Sequence, residues 1–483
     1  MTEPPIRFGT DGWRAVVADD FTYASVRSVA QAVAWHLEGD ARPVVVGHDT
    51  RYCAELFARE VCSVLAANGR TVILLGRPAP TQVTSWTVVD RAAAGGVVVT
   101  ASHNPPEFNG LKFKPDFGGS APPEVSGRLE ELSARAQRGG VRTMPFDDAV
   151  ARGLVTTVDP MPSYEAQIAR IVDLPRLRGA GLRILHEAMH GAGAGVVSGL
   201  LAGGSTEVVD LHAERNPGFG GMHPEPIGRY MPEALARMRG GGFDLCIAND
   251  GDADRVGIVD ERGVFVNQLQ VMALLCMYLL ERRGERGDLV RSLTSSQMVD
   301  VLGERFGVRV HETCVGFKYI GPLMTETDAL LGGEESGGFA FRGHIPERDG
   351  VLAGLMVASA VVDYGIPVSG LLARLEGLVG PHAYDRHDVR LPRDGYDERR
   401  ESLYRRLRDE PIAELAGTRV VRRRDDDGFK QYLADGSWAL VRFSGTEPLI
   451  RVYAEATTQS RVDDLLGALE EHLGLRGVPA ATG

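Results

Sequence analysis

Three aspartates alternate in the segment DGDADR: Asp250, Asp252 and Asp254. In a helix, residues two apart point to nearly opposite sides, whereas in an extended loop they share one side. Carboxylate oxygens gathered on one side are the hard ligands that Mg²⁺ prefers. Because the run directly follows the apolar strand LCIA, its charges would repel one another without a cation, which favours a metal loop over a solvated acidic turn. An EF-hand is excluded, since its sixth position needs glycine and this chain has Arg255.

A serine follows an apolar run in the segment VVVTASHNPPEFNGLKF. Ser102 has His103, Asn104 and Lys112 nearby. An exposed, rigidly held hydroxyl beside a cation and an amide meets the requirements of a nucleophile or a phosphoryl carrier. The same spacing is equally typical of a serine turn before Pro105, so both interpretations stay open on spacing alone. The sequence around Ser102 lacks the G-x-S-x-G elbow, which argues against acyl transfer.

A third polar segment, GGEESGG, carries Glu334, Glu335 and Ser336 between glycines. Acidic and hydroxyl groups on a backbone that permits close approach are suited to hydrogen bonding with sugar hydroxyls. A surface loop without a ligand would have the same composition, so this segment alone does not identify a site.

A fourth segment, RFSGTEP, lies near the C-terminus. It offers an arginine fork, two hydroxyls and free backbone N–H groups, which together suit a phosphate. The residues that would form this cradle are Arg442, Ser444, Gly445 and Thr446. The alternative is a β-hairpin turn that happens to carry an arginine.

The elements that must position these segments follow one strand–helix pattern that recurs along the chain. Short apolar runs alternate with helical periodicity three times, which predicts three consecutive α/β domains with parallel or mixed sheets. The chain then becomes polar and arginine-rich before two alternating strands and a last helix, which predicts a smaller α+β domain. We expect domains at residues 1–158, 159–261, 262–380 and 381–483. TASHNP, ANDGDADR and GGEESGG each follow a predicted strand. Since ligands bind beyond the carboxyl ends of parallel strands, the four domains can point their loops into one central cleft.

Composition limits the class of partner. The 483 residues carry a net charge of -12, so anion binding requires positive charge concentrated in a cleft, and a nucleic-acid footprint is not expected. The five cysteines are scattered without a C-x-x-C pair, which favours a reduced, cytoplasmic setting. The N-terminal segment has no signal pattern, and the longest apolar stretch is shorter than the ~20 residues that span a bilayer.

Taken together and in this order, the segments resemble the α-D-phosphohexomutase family, which includes phosphoglucomutases and phosphomannomutases. The resemblance covers nearly the whole chain: FGTDGWR, TASHNP, DGDADR, GEESGG and RFSGTEP. It implies four domains around a central cleft. It also implies an intramolecular phosphotransferase that interconverts hexose 1-phosphate and hexose 6-phosphate, with hexose phosphates as its small-molecule partners and a monomer or homodimer as its assembly.

The resemblance implies roles for individual residues. Those at the transferred group would be the phosphoserine Ser102 with Arg14, His103, Lys112 and Arg255. Those binding one Mg²⁺ ion per chain would be Asp250, Asp252, Asp254 and a phosphate oxygen on Ser102. Those binding substrate would be Glu334, Ser336, Arg442, Ser444, Gly445 and Thr446. The phosphoserine donates its group to a sugar hydroxyl, and the resulting bisphosphate, glucose 1,6-bisphosphate for glucose, turns round and returns its other phosphate.

Two details distinguish branches of the family. Bacterial phosphomannomutase/phosphoglucomutases have the pattern GEMSGH, with a histidine where this chain has Gly338. The loop VGFKYIG resembles the corresponding loop of the glucose-preferring branch, so we expect Lys318 to be the acid–base group. His344 is the second candidate for this role. The alternatives are a phosphomannomutase, a phosphoglucosamine or phosphopentose mutase, a metal-dependent phosphatase that uses the aspartates, and a sugar-phosphate sensor without turnover.

Overall fold

The computed structural model describes residues 4–392, 394–443 and 448–475, which form four β-sheets in chain order. The first three sheets are mixed and the fourth is antiparallel. This confirms the expected fold class of three α/β units followed by a smaller α+β unit.

The first sheet has the strand order β1-β5-β4-β2-β3-β6. Its strands are β1 (Trp13–Val16), β2 (Val44–His48), β3 (Val72–Leu75), β4 (Gly95–Val99), β5 (Phe108–Pro115) and β6 (Val155–Val158). Its helices are α1 (Tyr23–His36), α2 (Ala54–Ala67), α3 (Thr81–Asp90), α4 (Pro123–Gln137) and α5 (Phe146–Ala151). Strands β2 and β4 are buried at every position, as parallel strands covered on both faces require. A capping box between Thr22 and Ser25 starts α1.

The second sheet has the order β11-β10-β9-β7-β8. Its strands are β7 (Arg183–Glu187), β8 (Glu207–Leu211), β9 (Leu245–Asn249), β10 (Val256–Asp260) and β11 (Phe265–Val266), and its helices are α6 (Met161–Ile168), α7 (Leu174–Arg178), α8 (Val196–Leu201) and α9 (Pro232–Arg239). Strand β11 pairs with β10, so this hairpin extends past residue 261, where the sequence led us to expect the domain to end.

The third sheet has the order β13-β12-β14-β15. Its strands are β12 (Leu289–Ser292), β13 (Val310–Thr313), β14 (Leu331–Gly333) and β15 (Phe339–Phe341). Its helices are α10 (Gln268–Met277), α11 (Met298–Phe306), α12 (Phe317–Thr327), α13 (Gly350–Tyr364) and α14 (Val368–Val379), and α10 continues as a π-helical turn, Tyr278–Arg282.

The fourth sheet has the order β16-β21-β20-β19-β18-β17. Its strands are β16 (Ala383–Arg390), β17 (Glu414–Leu415), β18 (Thr418–Arg424), β19 (Phe429–Leu433), β20 (Trp438–Phe443) and β21 (Leu449–Ala456), and its helices are α15 (Tyr396–Asp409) and α16 (Gln459–His472).

The hydrophobic cores show which of the four units pack together. One continuous core joins the second and third units and includes residues of the first, such as Val45 and Leu75. The fourth unit has its own core and meets the third through a small cluster that contains Leu293 and Trp438. The first three units therefore pack as one body, and the fourth is attached to it mainly through the third.

Within the described ranges, no single helix has the length and apolar character needed to cross a membrane. By length and composition alone, the pair α13 and α14, bent by 84°, passes that test together.

Candidate active site

Ser102 lies in the loop between β4 and β5, just beyond the carboxyl end of β4. Its backbone is left-handed, with φ of 52°, and its N–H donates to Thr100 Oγ1 at 2.9 Å. The sequence led us to expect an exposed hydroxyl, but the residue is 1% exposed. It is covered by the loop at residues 250–255 of the second unit, which we call the metal loop after its predicted role. The Oγ donates to Asp250 Oδ2 at 2.8 Å and lies 3.4 Å from His103 Nδ1.

The three aspartates of the metal loop follow β9 directly. One carboxylate oxygen from each of Asp250, Asp252 and Asp254 lies within 4.8 Å of the other two, and all three side chains are fully buried. The loop is closed by two bonds, from Asn249 Nδ2 to the carbonyl of Arg255 and from the Arg255 N–H to Asp250 Oδ1. This closure brings alternate side chains to one side of the loop.

Two oxygens of this loop are buried without a hydrogen-bond partner in the described part of the chain: Oδ1 of Asp252 and Oδ1 of Asp254. A buried carboxylate oxygen without a partner costs free energy unless it meets a cation or a donor. Three converging carboxylates, two of which have an oxygen without a hydrogen-bond partner, fit a hard divalent cation such as Mg²⁺.

Lys112, on β5, is buried against the same aspartates. Its Nζ lies 2.8 Å from Asp11, 2.8 Å from Asp252 and 3.0 Å from Asp254. Burial works to lower the pKa of Lys112, but the carboxylates outweigh it and hold that pKa above its ordinary value. Burial likewise works to raise the pKa of Asp252, yet the Lys112 ammonium holds that pKa low. Burial and the neighbouring carboxylates raise the pKa of Asp250.

Further cations surround the Ser102 loop. Arg14, on β1, donates from Nη1 to Asn104 Oδ1 at 2.6 Å. Arg255 pairs with Glu225 at 3.3 Å, and its buried Nε has no hydrogen-bond partner among the described residues and lies 4.0 Å from Asp254 Oδ1. Burial, with the nearby Arg255 and Arg14, holds the pKa of His103 well below its ordinary value, so that this ring is neutral at pH 7. Positive charge is thus concentrated beside Ser102 in a chain whose net charge is -12.

The segment GGEESGG, residues 332–338, begins in β14, and we call it the sugar loop after its predicted role. Glu334 is 4% exposed, and burial raises the pKa of its carboxyl group. The Oγ of Ser336 is buried and has no hydrogen-bond partner within the described ranges. Arg348, which the sequence did not single out, joins this loop to the metal loop: its guanidinium lies 3.1 Å from Asp254 and 3.6 Å from Glu334, and it also bonds Asp11.

Lys318 and His344, the two acid–base candidates, have different surroundings. Lys318 is the second residue of α12, and its Nζ lies 5.4 Å from the centre of the Tyr319 ring. A Cβ on neighbouring Gly316 would lie 2.9 Å from Thr10, so this loop meets the N-terminal FGTDGWR segment. The His344 side chain is buried, with its Nε2 3.1 Å from Asp349.

Arg442 lies on β20 and forms a two-point ion pair with Asp427, at 2.8 and 3.1 Å. The other oxygen of Asp427 accepts the Val315 N–H at 2.7 Å, which ties this unit to the loop that carries Lys318. A second contact between the third and fourth units is the hydrogen bond that the Tyr384 hydroxyl donates to Glu335 at 2.8 Å. The other cradle residues, Ser444, Gly445 and Thr446, lie outside the described residues.

The structure therefore joins most predicted residues into one cluster. Hydrogen bonds and ion pairs link Ser102, His103, Lys112, the three aspartates and Arg255, Arg14 bonds Asn104 of the Ser102 loop, and Arg348 links Glu334 to Asp254. No hydrogen bond or ion pair in the described ranges connects Lys318 or Arg442 to that cluster. Three further residues were missed, Asp11, Arg348 and Asp427; each lies next to or near a glycine or proline in a charged segment, which was the available signal.

A serine hydroxyl that bonds one of three converging carboxylates, beside several cations, is an arrangement suited to phosphoryl transfer. Comparison with family models matches all four units: the phosphoglucomutase/phosphomannomutase alpha/beta/alpha domains I, II and III at residues 5–139, 162–263 and 267–377, and the C-terminal domain at 403–472. The chain belongs to the phosphoglucomutase/phosphomannomutase family, the α-D-phosphohexomutases. It is an enzyme of intramolecular phosphoryl transfer.

The relatives differ in their substrates. A probable phosphoglucosamine mutase from Methanopyrus kandleri is 32% identical, over 95% of each chain. A phosphoglucomutase/phosphomannomutase from Thermococcus kodakarensis is 30% identical, over 95% of this chain and 96% of its own. A solved structure from Thermus thermophilus, assigned as a phosphomannomutase, is 35% identical with a TM-score of 0.84, over 98% of this chain and 100% of its own.

Proposed function

We propose that this enzyme interconverts glucose 1-phosphate and glucose 6-phosphate through a phosphoserine at Ser102 and a bisphosphorylated sugar. The observation that carries the proposal is the contact of Ser102 Oγ with Asp250 at 2.8 Å inside the three-aspartate cluster. A hydroxyl in that position can exchange a phosphoryl group whose charge the surrounding cations stabilise.

The metal in this proposal is one Mg²⁺ ion. Asp250, Asp252 and Asp254 would hold it, together with a phosphate oxygen on Ser102, and the unpartnered oxygens of two of these aspartates support the assignment. When bound, the ion would supply positive charge at the transferred phosphoryl group.

The chain's own cations would hold that group in place. Arg14 and Arg255 lie near the Ser102 loop and can donate to phosphate oxygens, and the Lys112 ammonium, already paired with carboxylates, would add positive charge there. His103 is neutral at pH 7, so its Nδ1, 3.4 Å from Ser102 Oγ, can exchange a proton with the hydroxyl. Together these residues would stabilise the charge that develops during transfer.

The sugar and its second phosphate would bind at the third and fourth units. Glu334 and Ser336 would bond sugar hydroxyls, and the unpartnered Oγ of Ser336 supports this role. Arg442 would bind the phosphate that is not being transferred, together with Ser444, Gly445 and Thr446. Lys318 would exchange the proton of the sugar hydroxyl; it forms no hydrogen bond or ion pair within the described residues, which supports a group left free for substrate.

The preference for glucose rests on the space beside the sugar loop. A Cβ added at Gly338 would lie 2.2 Å from Arg348 Cδ, so Arg348 occupies the volume in which a histidine of the GEMSGH branch would begin. That exclusion favours the glucose branch over the mannose branch. Glucosamine phosphate is the second candidate substrate, because the Methanopyrus kandleri relative is a probable phosphoglucosamine mutase.

The cycle also implies an activator. Enzyme that loses its phosphate needs glucose 1,6-bisphosphate to regain it, so this compound would serve as both intermediate and activator. Five free cysteines support a reducing, cytoplasmic setting for the reaction.

Intact mass measurement with peptide mapping tests the proposal. We expect one phosphate on Ser102 that is lost to, or exchanged with, added hexose phosphate, and we expect Ser102→Ala to lose nearly all mutase activity. Ser63→Ala, which changes a buried serine of α2 in the same unit, is the matched control and retains activity. Net phosphate release with an active Ser102→Ala enzyme would instead support a phosphatase. Coupled assays with glucose, mannose and glucosamine phosphates decide the substrate: the highest kcat/KM on glucosamine 6-phosphate would overturn the glucose preference.

A further inference from the structure

Arg51 is a fully buried arginine that donates hydrogen bonds to the loop of Ser102. It follows β2 in the segment HDTR, and its side chain is 0% exposed. Its Nε donates to Asp49 at 3.1 Å. Its two terminal nitrogens donate to four backbone carbonyls at 2.6–3.0 Å, those of Ser102, Asn104, Pro105 and Phe108. Three of these carbonyls belong to the connection between β4 and β5, and Phe108 is the first residue of β5.

This arrangement answers a specific requirement of the loop. Segment 102–108 is neither helix nor strand until Phe108, so no strand ladder supplies donors to the carbonyls of Ser102 and Asn104, and Arg51 supplies them instead. A guanidinium is the side chain that carries five N–H donors in a rigid plane. Arg51 therefore fixes four points of one loop with one group.

The N–H side of Ser102 is fixed by the same assembly. Thr100 Oγ1 accepts the Ser102 N–H at 2.9 Å and donates to Asp49 Oδ2 at 2.7 Å, the oxygen that also binds Arg51. The N–H of Ser102 is thus connected to Asp49 through Thr100, and the carbonyl of Ser102 is connected to Asp49 through Arg51. Ser102 has a left-handed φ of 52°, a conformation that persists only where its surroundings hold it.

A second unit closes this assembly. The ring of Phe219, which is 0% exposed, lies 4.9 Å from the Arg51 guanidinium. Thr50, next to Arg51, donates to the carbonyl of His190 at 2.8 Å. The support of the Ser102 loop is therefore continuous with the unit that carries the metal loop, and Ser102 Oγ is set against Asp250 by contacts on both sides.

We propose that Arg51 and Asp49 are positioning residues for phosphoryl transfer, which hold the Ser102 backbone at the orientation and distance that the reaction needs. The inference rests on the proposed role of Ser102 as the phosphoryl carrier. Neither side chain is accessible to substrate, because both are 0% exposed. Their loss therefore lowers the rate of transfer and leaves substrate binding nearly unchanged.

Arg51→Lys tests the proposal with the charge retained. Lysine has three donors for five acceptors, so at least two lose their bonds and the loop shifts. We expect kcat to fall about 100-fold, the effect of a misplacement of about 1 Å, with KM within about twofold of wild type. Phosphorylation of Ser102 by glucose 1,6-bisphosphate, followed by rapid quench and intact mass, slows by the same factor. Thr100→Val, which removes only the bridging hydroxyl, gives about a tenfold loss and serves if Arg51→Lys does not fold.

Arg70→Lys is the matched control. Arg70 is also a buried arginine of the first unit and donates to the carbonyls of Leu37, Asp40 and Arg42, but it has no contact with the Ser102 loop. It should lower Tm and leave kcat unchanged. If Arg51→Lys and Thr100→Val transfer phosphate as fast as Arg70→Lys, with phosphoserine present in wild type, Arg51 is only structural and the inference is overturned. Wild-type turnover without phosphate on Ser102 overturns the proposed function itself and this inference with it.

Discussion

Replacing Gly251 by alanine inserts one methyl group between the metal loop and the Ser102 loop. A Cβ at this position would lie 2.5 Å from the Ser102 carbonyl oxygen, and contacts below 3.0 Å require something to move. The obstacle is backbone rather than the end of a flexible side chain, so the two loops themselves must separate by about 0.5–0.9 Å to reach an ordinary contact. Arg51 already holds the Ser102 carbonyl from the other side at 2.6 Å.

This displacement has a predictable cost. A shift of about 1 Å between reacting groups lowers a rate about 100-fold, so we expect kcat of Gly251→Ala to fall by that order. Overpacking costs about 1–3 kcal/mol of unfolding free energy, which leaves a folded enzyme to measure. The assay is the coupled mutase reaction at saturating Mg²⁺ and substrate, with thermal unfolding in parallel.

Gly199→Ala is the control for this experiment. Gly199 lies in α8 of the same unit, and a Cβ there has nothing within 4 Å. Alanine should stabilise the helix by about 0.5–1 kcal/mol and leave kcat unchanged. A Gly251→Ala enzyme that turns over within twofold of wild type would refute the argument, because the loops would then tolerate separation.

Three further predictions concern the metal, the distal phosphate and pH. Removal of divalent metal should abolish activity, and Asp254→Asn should raise the Mg²⁺ concentration for half-maximal rate by at least about tenfold; an unchanged Mg²⁺ titration would contradict the metal assignment. Asp427→Asn loosens Arg442 and should raise KM about tenfold with a smaller effect on kcat, whereas Asp425→Asn, in the same acidic run but exposed, should change neither. Burial, together with nearby Arg291, lowers the pKa of Lys430 to about 7. Between that value and the unfolded pKa near 10.5 only the unfolded chain binds the proton, so unfolding free energy should rise by about 1.4 kcal/mol per pH unit above pH 7. Lys430→Met should remove that slope in denaturation series at pH 7, 8 and 9.

The elements that position the site could be predicted because their signals are local. The apolar runs before Ser102, Asp250 and Glu334 are strands β4, β9 and β14, and each residue lies just past the end of its strand. Strand ends place side chains at one edge of a sheet, which is why the position of each motif after its strand could be predicted. The closeness of the three aspartates follows from the same local spacing.

What the sequence did not reveal are contacts between distant segments. Ser102 was expected to be exposed because nothing near it in sequence indicates that the metal loop covers it. Arg51 was overlooked for the same reason: HDTR reads as an ordinary turn, and its function depends on carbonyls 51 to 57 residues away. A carbonyl leaves no mark in sequence, since every residue has one.

Arg348 shows why such contacts matter for the site as a whole. It pairs with Asp11, Asp254 and Glu334, which come from the first, second and third units, and it is buried. A buried guanidinium is tolerated only when its charge is compensated, so this residue is stable only where all three units are packed together. The metal loop and the sugar loop are therefore held in register by a residue that belongs to neither. A side chain at Gly338 would displace Arg348, and would disturb the metal loop as well as the sugar loop. The glycine is consequently required by the arginine, and the geometries of the two loops are linked through that pair.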